Sequence, residues 1–338
     1  MATYEQAGVD LAAADEVVAQ IANDVIATWS SDVVGGFGGF AAGITVPAGY
    51  DSPVLMMSTD GVGTKADVAL RAGHLDGLGY DLVAMCVDDL AAVGAAPLAM
   101  TDYIAVDRLD VDRVASLVRS IATACATAGI ALLGGETAEH PGVMPDNSFD
   151  LAGTALGIIE AGAEVTGAAI EPGNIVLGLE SPNLRSNGFS FVRAHVLDRL
   201  ELSDSLPGTG RSVAEVILEP SVIYAPAIRA LVADLPVTGM AHITGGGIPG
   251  NLGRILPSHV DAHIASSAWI PAPVFAALAE VAHTEAAELY ATFNMGIGFV
   301  VIVAPGDAAT AVRTLEEQQV SVAAIGEVTT GSGAVFLD

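Results

Sequence analysis

At 338 residues the chain suits two domains of about 150 residues each, and its 52% apolar content with 38 glycines describes a globular, turn-rich protein. A net charge of −28 argues against nucleic acid as the main partner, because phosphate backbones are met by clustered Lys and Arg, and it argues equally against an anionic membrane surface. No apolar run approaches a membrane span, and "MATYEQAGVD" lacks the basic-then-apolar pattern of a signal peptide.

The segment to about Thr45 is mixed and ends in the glycine-rich "GGFGGF". "PVLMMS" is short enough for a buried strand and leads into Thr59-Asp60-Gly61. A helix is expected over Gly77 to Val93, with Leu82, Cys86, Leu90 and Val93 as its apolar stripe. "PLAMTDYIAV" reads as a strand, Val114 to Cys125 as a helix, "IALLGGET" as a strand running into a glycine pair and an acid, and "DLAGTALGIIE" as another strand. Near Glu171-Pro172-Gly173 the pattern restarts, which predicts domains at 1–170 and 171–338. Then come the strand "NIVLGLES", helices near 190–199, 211–218 and 224–233, the strand and glycine turn "GMAHITGGGIPGN", a helix beginning at 252–256, the strand "GIGFVVIVAP", a helix near 308–318 and two short strands. Alternating strands and helices in both halves indicate α/β, or mixed α+β, layers. Cys86 and Cys125 both fall in apolar helical patterns, as small core residues of a reducing cytoplasmic setting would.

Three acids hold suggestive positions. Asp60 and Glu136 follow strand patterns, where α/β folds gather their ligands. Asp89 lies at the margin of its helical stripe, while a wheel turns its neighbour Asp88 outward. Any one such acid is more often a cap or a solvated edge. Three together suggest Mg²⁺, which takes a few carboxylates, phosphate oxygens and retained water. Lys65 is the only lysine in the chain. It follows the tight Gly61-Val62-Gly63-Thr64 turn, where backbone N–H groups and an ammonium could meet phosphate, although a lone loop lysine is more often merely solvated. Gly245-Gly246-Gly247-Ile248-Pro249-Gly250 fits G-x-G-x-x-G but lacks an acid about 20 residues on, so it is weak as a dinucleotide fingerprint. It remains a reasonable phosphate turn. His242, just before it, reads as a hydrogen-bonded core histidine or a site residue. Arg185-Ser186-Asn187-Gly188 reads as a helix cap or an oxygen-rich ligand loop. His259-x-Asp261-x-His263 resembles a metal site, with a polar strand face as the commoner explanation.

In order along the chain, "YEQAGVD", "GGFGGF", "TDGVGTK", "DLVAMCVDDLAAVGAAP", "GGETAEHPG", "AHITGGG" and "FNMGIG" make it closely resemble the phosphoribosylformylglycinamidine cyclo-ligase family, also called aminoimidazole ribonucleotide synthetase. Selenophosphate synthetase and thiamine-phosphate kinase are related alternatives. A non-catalytic nucleotide-binding subunit is a third. The absence of any Cys before Cys86 speaks against a selenophosphate synthetase. The resemblance implies a homodimer built through the N-terminal domains. It also implies ATP-dependent closure of formylglycinamidine ribonucleotide to aminoimidazole ribonucleotide, with ADP and phosphate released. By motif, Asp60, Asp89 and Glu136 would hold Mg²⁺, and Gly61, Gly63, Thr64, Lys65, Asp89, Gly134, Gly135, Glu136 and Asn294 would bind ATP. Arg185, Ser186, Asn187, Gly188, Gly245, Gly246 and Gly247 would bind substrate, and Lys65, Asp60 and His242 would act in catalysis. Arg185 stands where the family commonly has His, Asp88 where it has Asn, and the early helix near Gln20 to Ala27 lacks the family's basic residues.

Overall fold

The computed structural model describes residues 11–338, so the "YEQAGVD" motif lies outside the described residues. The chain forms two compact units. One comprises the described residues up to Leu90 together with Ala96–Ala161, the other Ala91–Ala95 and Gly162–Asp338.

The first unit opens with α1 (Leu11–Ile26), which covers most of the early helix that the family resemblance implied near Gln20 to Ala27, and a small pair β1 (Val33–Val34) and β2 (Gly43–Ile44). Thr28 and Trp29, just past α1, clip onto Leu132: the Trp29 indole donates to its carbonyl at 2.7 Å and its N–H donates to Thr28 Oγ1 at 2.9 Å. Then follow β3 (Pro53–Gly61), α2 (Lys65–Ala72), α3 (Leu78–Ala92), β4 (Ala96–Val106), α4 (Val111–Ala128), β5 (Ala131–Glu139) and β6 (Phe149–Glu160). Helix α4 starts where Asp110 caps it, accepting from the Arg113 N–H, and stops at Gly129 in a left-handed conformation. The sheet order is β3-β6-β4-β5, antiparallel except for β4 and β5. One face carries Met100, Ile104 and Ala155 into a core with Leu82, Cys86, Leu117 and Cys125 from the helices. The other face leaves Leu55, Met57 and Tyr103 in the open, at 54%, 69% and 42% exposure.

The second unit contains β7 (Ile175–Glu180), α5 (Phe189–Phe191) running into a wider π turn over Val192–Val196, α6 (Val213–Ile217), α7 (Ala225–Asp234), β8 (Gly239–His242) and α8 (Gly247–Leu252). It is completed by β9 (Val260–Ile264), α9 (Pro273–Ala282), α10 (Ala286–Thr292), β10 (Ile297–Val303), α11 (Ala308–Glu317), β11 (Val322–Thr330) and β12 (Val335–Leu337). The order is β12-β9-β11-β7-β10-β8, antiparallel apart from the β12–β9 pair. Every residue of β10 is buried, as its unbroken "IGFVVIV" run requires of an inner strand. The helix placed at 252–256 by the sequence pattern is instead α8, which begins directly after the glycine turn and ends at Leu252.

Candidate active site

In the first unit, Asp60 and Asp89 come together. Asp60 lies within β3, and its Oδ1 accepts the Gly61 N–H at 2.6 Å. Ser58, two residues earlier on the same face of the strand, donates from Oγ to Asp89 Oδ2 at 3.4 Å. Cys86 sits between these acids. Burial, partly offset by a backbone hydrogen bond at Asp60 and reinforced by the Asp60 and Asp89 charges, pushes its thiol up to about 12. Cys86 therefore stays protonated and serves packing; its Sγ donates to the Gly153 carbonyl.

Asp88 and Asp89 exchange the places expected of them. Asp88 is fully buried, and Asp89 is the exposed member of the pair. The wheel assumed a one-sided helix, whereas Leu78, Leu82, Val83, Ala84, Met85, Cys86 and Val87 bury α3 nearly all round.

Glu136 does not join the other two acids. It is an exposed residue inside β5 rather than beyond its end. Its row runs Gly61–Ala152–Tyr103–Glu136 across the sheet, whereas the row through Asp60 runs Asp60–Gly153–Asp102–Gly135. Adjacent rows face opposite sides, and β3 lies three strand spacings, roughly 14 Å, from β5. Among the described residues no group of three His, Cys, Asp or Glu gathers to hold a metal ion. The Asp60–Asp89 pair nevertheless fits Mg²⁺ carried by a nucleotide, since that ion needs only one or two carboxylates when phosphates and water complete its shell.

Lys65 is the first residue of α2 rather than a loop residue, and it is fully buried. Its ammonium meets Asp81 Oδ2 at 2.7 Å, with both side chains enclosed. Gly63 and Thr64 form the turn just before it, Gly63 at φ +65°. Asp81 escaped the sequence reading; the available signal was an acid in the first turn of an otherwise apolar helix.

In the second unit, the structure joins the two substrate-loop candidates. The Gly245 N–H donates to Asn187 Oδ1 at 3.1 Å, which brings Ser186-Asn187-Gly188 to the Gly245–Gly247 turn. Asn251, which the motif reading passed over, organises that turn. Its buried Nδ2 donates to the carbonyls of Thr244, Gly245 and Gly247 at 3.3, 3.2 and 2.8 Å. Gly247 has φ +59°, and a Cβ there would overlap the Tyr290 carbonyl.

Arg185 is fully buried at φ +58°, its guanidinium 4.8 Å from the centre of the Tyr224 ring and Nη1 donating to the Gly298 carbonyl at 3.4 Å. Asn183 Oδ1 accepts the Arg185 N–H, and the Asn183 carbonyl accepts from Asn294 Nδ2 at 3.0 Å. Asn294 is thereby buried within the second unit, its Oδ1 accepting the Gly296 N–H. His242 is buried at the end of β8, stacked on Phe299. The His259-x-Asp261-x-His263 stretch is structural: Asp261 accepts the Ser332 and Ala334 N–H groups, and His263 stacks on Phe336.

Two α/β units, with Asp60 and Asp89 near Cys86 in one and an Asn-ordered glycine turn in the other, match the class of AIR synthase-related proteins. Residues 40–159 match the family model "AIR synthase related protein, N-terminal domain", and residues 171–338 match "AIR synthase related protein, C-terminal domain". The solved thiamine-monophosphate kinase of Stenotrophomonas maltophilia superposes with a TM-score of 0.69 over 98% of this chain and 96% of its own, at 20% identity. A hydrogenase maturation protein solved in complex with ATP gives 0.66 over 96% and 89%, at 18% identity. These two share the fold. The phosphoribosylformylglycinamidine cyclo-ligase of Myxococcus xanthus is 42% identical over 98% of this chain and 97% of its own length. The chain belongs to the phosphoribosylformylglycinamidine cyclo-ligase family.

Proposed function

We propose that this chain is an ATP-dependent cyclo-ligase that converts formylglycinamidine ribonucleotide to aminoimidazole ribonucleotide, ADP and phosphate. The observation that carries the reading is 42% identity to a named cyclo-ligase over nearly the whole chain. ATP transfers its terminal phosphoryl group to the formyl oxygen. The ribosyl-bearing nitrogen then attacks the activated carbon, phosphate leaves with that oxygen, and the ring closes. Such a reaction is catalysed largely by positioning and charge neutralisation. Residues 1–170 would serve nucleotide binding and dimerisation, and 171–338 would form the second domain.

Asp60 and Asp89 are the residues that would hold Mg²⁺, which supplies charge neutralisation at the phosphates when bound. Gly61, Gly63 and Thr64 offer backbone N–H groups to the nucleotide. Lys65 orders that turn through Asp81, and its ammonium reaches a phosphate only by leaving that partner. Gly134 and Gly135 would border the nucleotide site from the β5 side, whereas Glu136, in the neighbouring row of the opposite face, would stand apart from the ion held by Asp60 and Asp89. Ser186, Asn187, Gly188 and Gly245–Gly247 would surround the substrate, with His242, Asn294 and Arg185 behind them. Two buried free cysteines and an ATP-consuming reaction fit a cytoplasmic setting; no helix among the described residues is long and apolar enough to cross a membrane.

The open sheet face with Leu55, Met57 and Tyr103 supports a homodimer, since a second copy would cover it. Leu55→Glu with Met57→Glu should halve the mass measured by light scattering; an unchanged mass refutes this face as the interface. For the reaction, purified protein with ATP, Mg²⁺ and formylglycinamidine ribonucleotide should release ADP in proportion to substrate. Absence of substrate-dependent ADP release would defeat the proposal.

A further inference from the structure

The Ser186–Asn187–Gly188 loop and the Gly245–Gly247 turn meet at their tips, where the Gly245 N–H donates to Asn187 Oδ1. They are also joined at their bases, and one acceptor makes the link. The Gly298 carbonyl, in β10, accepts both Arg185 Nη1 at 3.4 Å and the Ile243 N–H at 3.0 Å. Arg185 directly precedes the loop, and Ile243 stands two residues before the turn. A fully buried guanidinium is thereby tied to the roots of both segments through one peptide group.

The surroundings of Arg185 impose this role on it. Its backbone is left-handed at φ +58°, a conformation that a long side chain keeps only where neighbouring groups enforce it. Asn183 Oδ1 accepts the Arg185 N–H at 2.9 Å, and Asn183 is itself fixed by donating from Nδ2 to the Pro220 carbonyl at 2.9 Å and by accepting from Asn294. The guanidinium lies over the Tyr224 ring, whose hydroxyl donates to the Glu180 carbonyl at 2.7 Å. A Cβ on Gly298 would overlap Tyr224 Oη, so glycine there lets ring, guanidinium and carbonyl come together. A guanidinium suits the place because its face stacks on a ring while its edge donates, which an ammonium does less well. Being fully buried, the side chain offers a substrate no surface to touch.

We propose that Arg185 is a positioning residue. It acts through Tyr224 and the Gly298 carbonyl to hold Asn187 and Gly245 at the spacing that accepts formylglycinamidine ribonucleotide, and it does not contact that substrate. This rests on the cyclo-ligase reading and on the assignment of both loops to the substrate, and it adds what sets their spacing.

Steady-state kinetics and hydrogen–deuterium exchange on the full chain test it. Arg185→Gly removes the side chain and suits the left-handed backbone, so this variant should fold. Its KM for formylglycinamidine ribonucleotide should rise about tenfold or more with a smaller fall in kcat, while its KM for ATP stays within about twofold of the wild-type value. Exchange across residues 243–252 should quicken in the ligand-free variant, since a brace is lost before any substrate arrives. Tyr224→Leu, which removes the ring under the guanidinium, should change the same two readouts, and combining the two substitutions should add little, because they break one unit. If Arg185→Gly does not fold, Tyr224→Leu decides the matter by itself. An unchanged KM for formylglycinamidine ribonucleotide in a folded variant overturns the proposal. So does a raised KM with unchanged exchange over 243–252, which would mark direct contact, and so do equal rises in both KM values. These outcomes leave the cyclo-ligase reading standing as long as the wild type turns over; a wild type without substrate-dependent ADP release defeats that reading and this inference together.

Discussion

The two units handle polar chemistry in opposite ways. The first builds with charge: Asp60 and Asp89 both near Cys86, the enclosed Lys65–Asp81 pair, and the enclosed carboxyl oxygen of Asp102. The second builds its loops with neutral amides and glycine backbone, using Asn183, Asn187, Asn251 and Asn294. Its one charged candidate, Arg185, is enclosed against Tyr224. The division suits the reaction. Charged groups can take a metal ion and handle the phosphoryl group, whereas neutral donors can hold a phosphate-bearing substrate without a titrating partner. A protein of net charge −28 cannot attract anions by its overall field, so both units depend on local, directed groups.

The sharpest way to break this contrast is to remove charge from the first unit's interior. Lys65→Met leaves the buried Asp81 carboxylate without its ammonium, and loss of one partner of a buried pair costs about 3–5 kcal/mol. Chemical denaturation should show a large loss of stability. Adding Asp81→Leu should restore much of it, since an apolar pair of similar volume replaces the ions. A double variant as unstable as the single one would show that the pair does not act as a unit.

A second comparison lies within α3. Asp89→Asn should raise the Mg²⁺ concentration needed for half-maximal rate, because the exposed Asp89 joins Asp60 at the proposed ion position. Asp88→Asn should lower the melting temperature while leaving the Mg²⁺ requirement unchanged, because Asp88 is enclosed. Equal shifts in Mg²⁺ requirement would contradict the assignment.

These two neighbours also mark the limit of what was legible beforehand. Strands with unbroken or alternating apolar runs, such as β3, β6 and β10, were legible because burial imposes their pattern directly. The family motifs could mark Asp60 and Asp89, and separately Gly245–Gly247, as candidates because each motif is local in sequence. Helices α9 and α10 left little signal, since "PVFAALAEVA" and "AAELYAT" are dominated by alanine, which marks no face. The wheel failed in α3 because an all-round buried helix has no polar side to calibrate it. Partnerships across distance were invisible: the Lys65–Asp81 pair, and the shared sheet row that runs from Asp60 through Gly153 to Asp102, exist only once strands and helices are laid side by side. The cross-strand separation of Glu136 from Asp60 was hidden in the same way.

The smallest expected effect probes the second unit, where neutral groups do the holding. Asn251→Ala removes one buried amide that donates to three carbonyls of the glycine turn, at a cost of about 1–3 kcal/mol. The turn is short and Gly247 is wedged against the Tyr290 carbonyl, so the fold should survive while the turn loses its fixed shape. KM for formylglycinamidine ribonucleotide should then rise more than kcat falls, and KM for ATP should stay near its wild-type value. Asn251→Asp should be worse than Asn251→Ala, because a carboxylate would face those carbonyl oxygens with no proton to give. A charged substitution tolerated there, or a change confined to ATP, would remove the distinction between a charged unit for the nucleotide and a neutral one for the substrate.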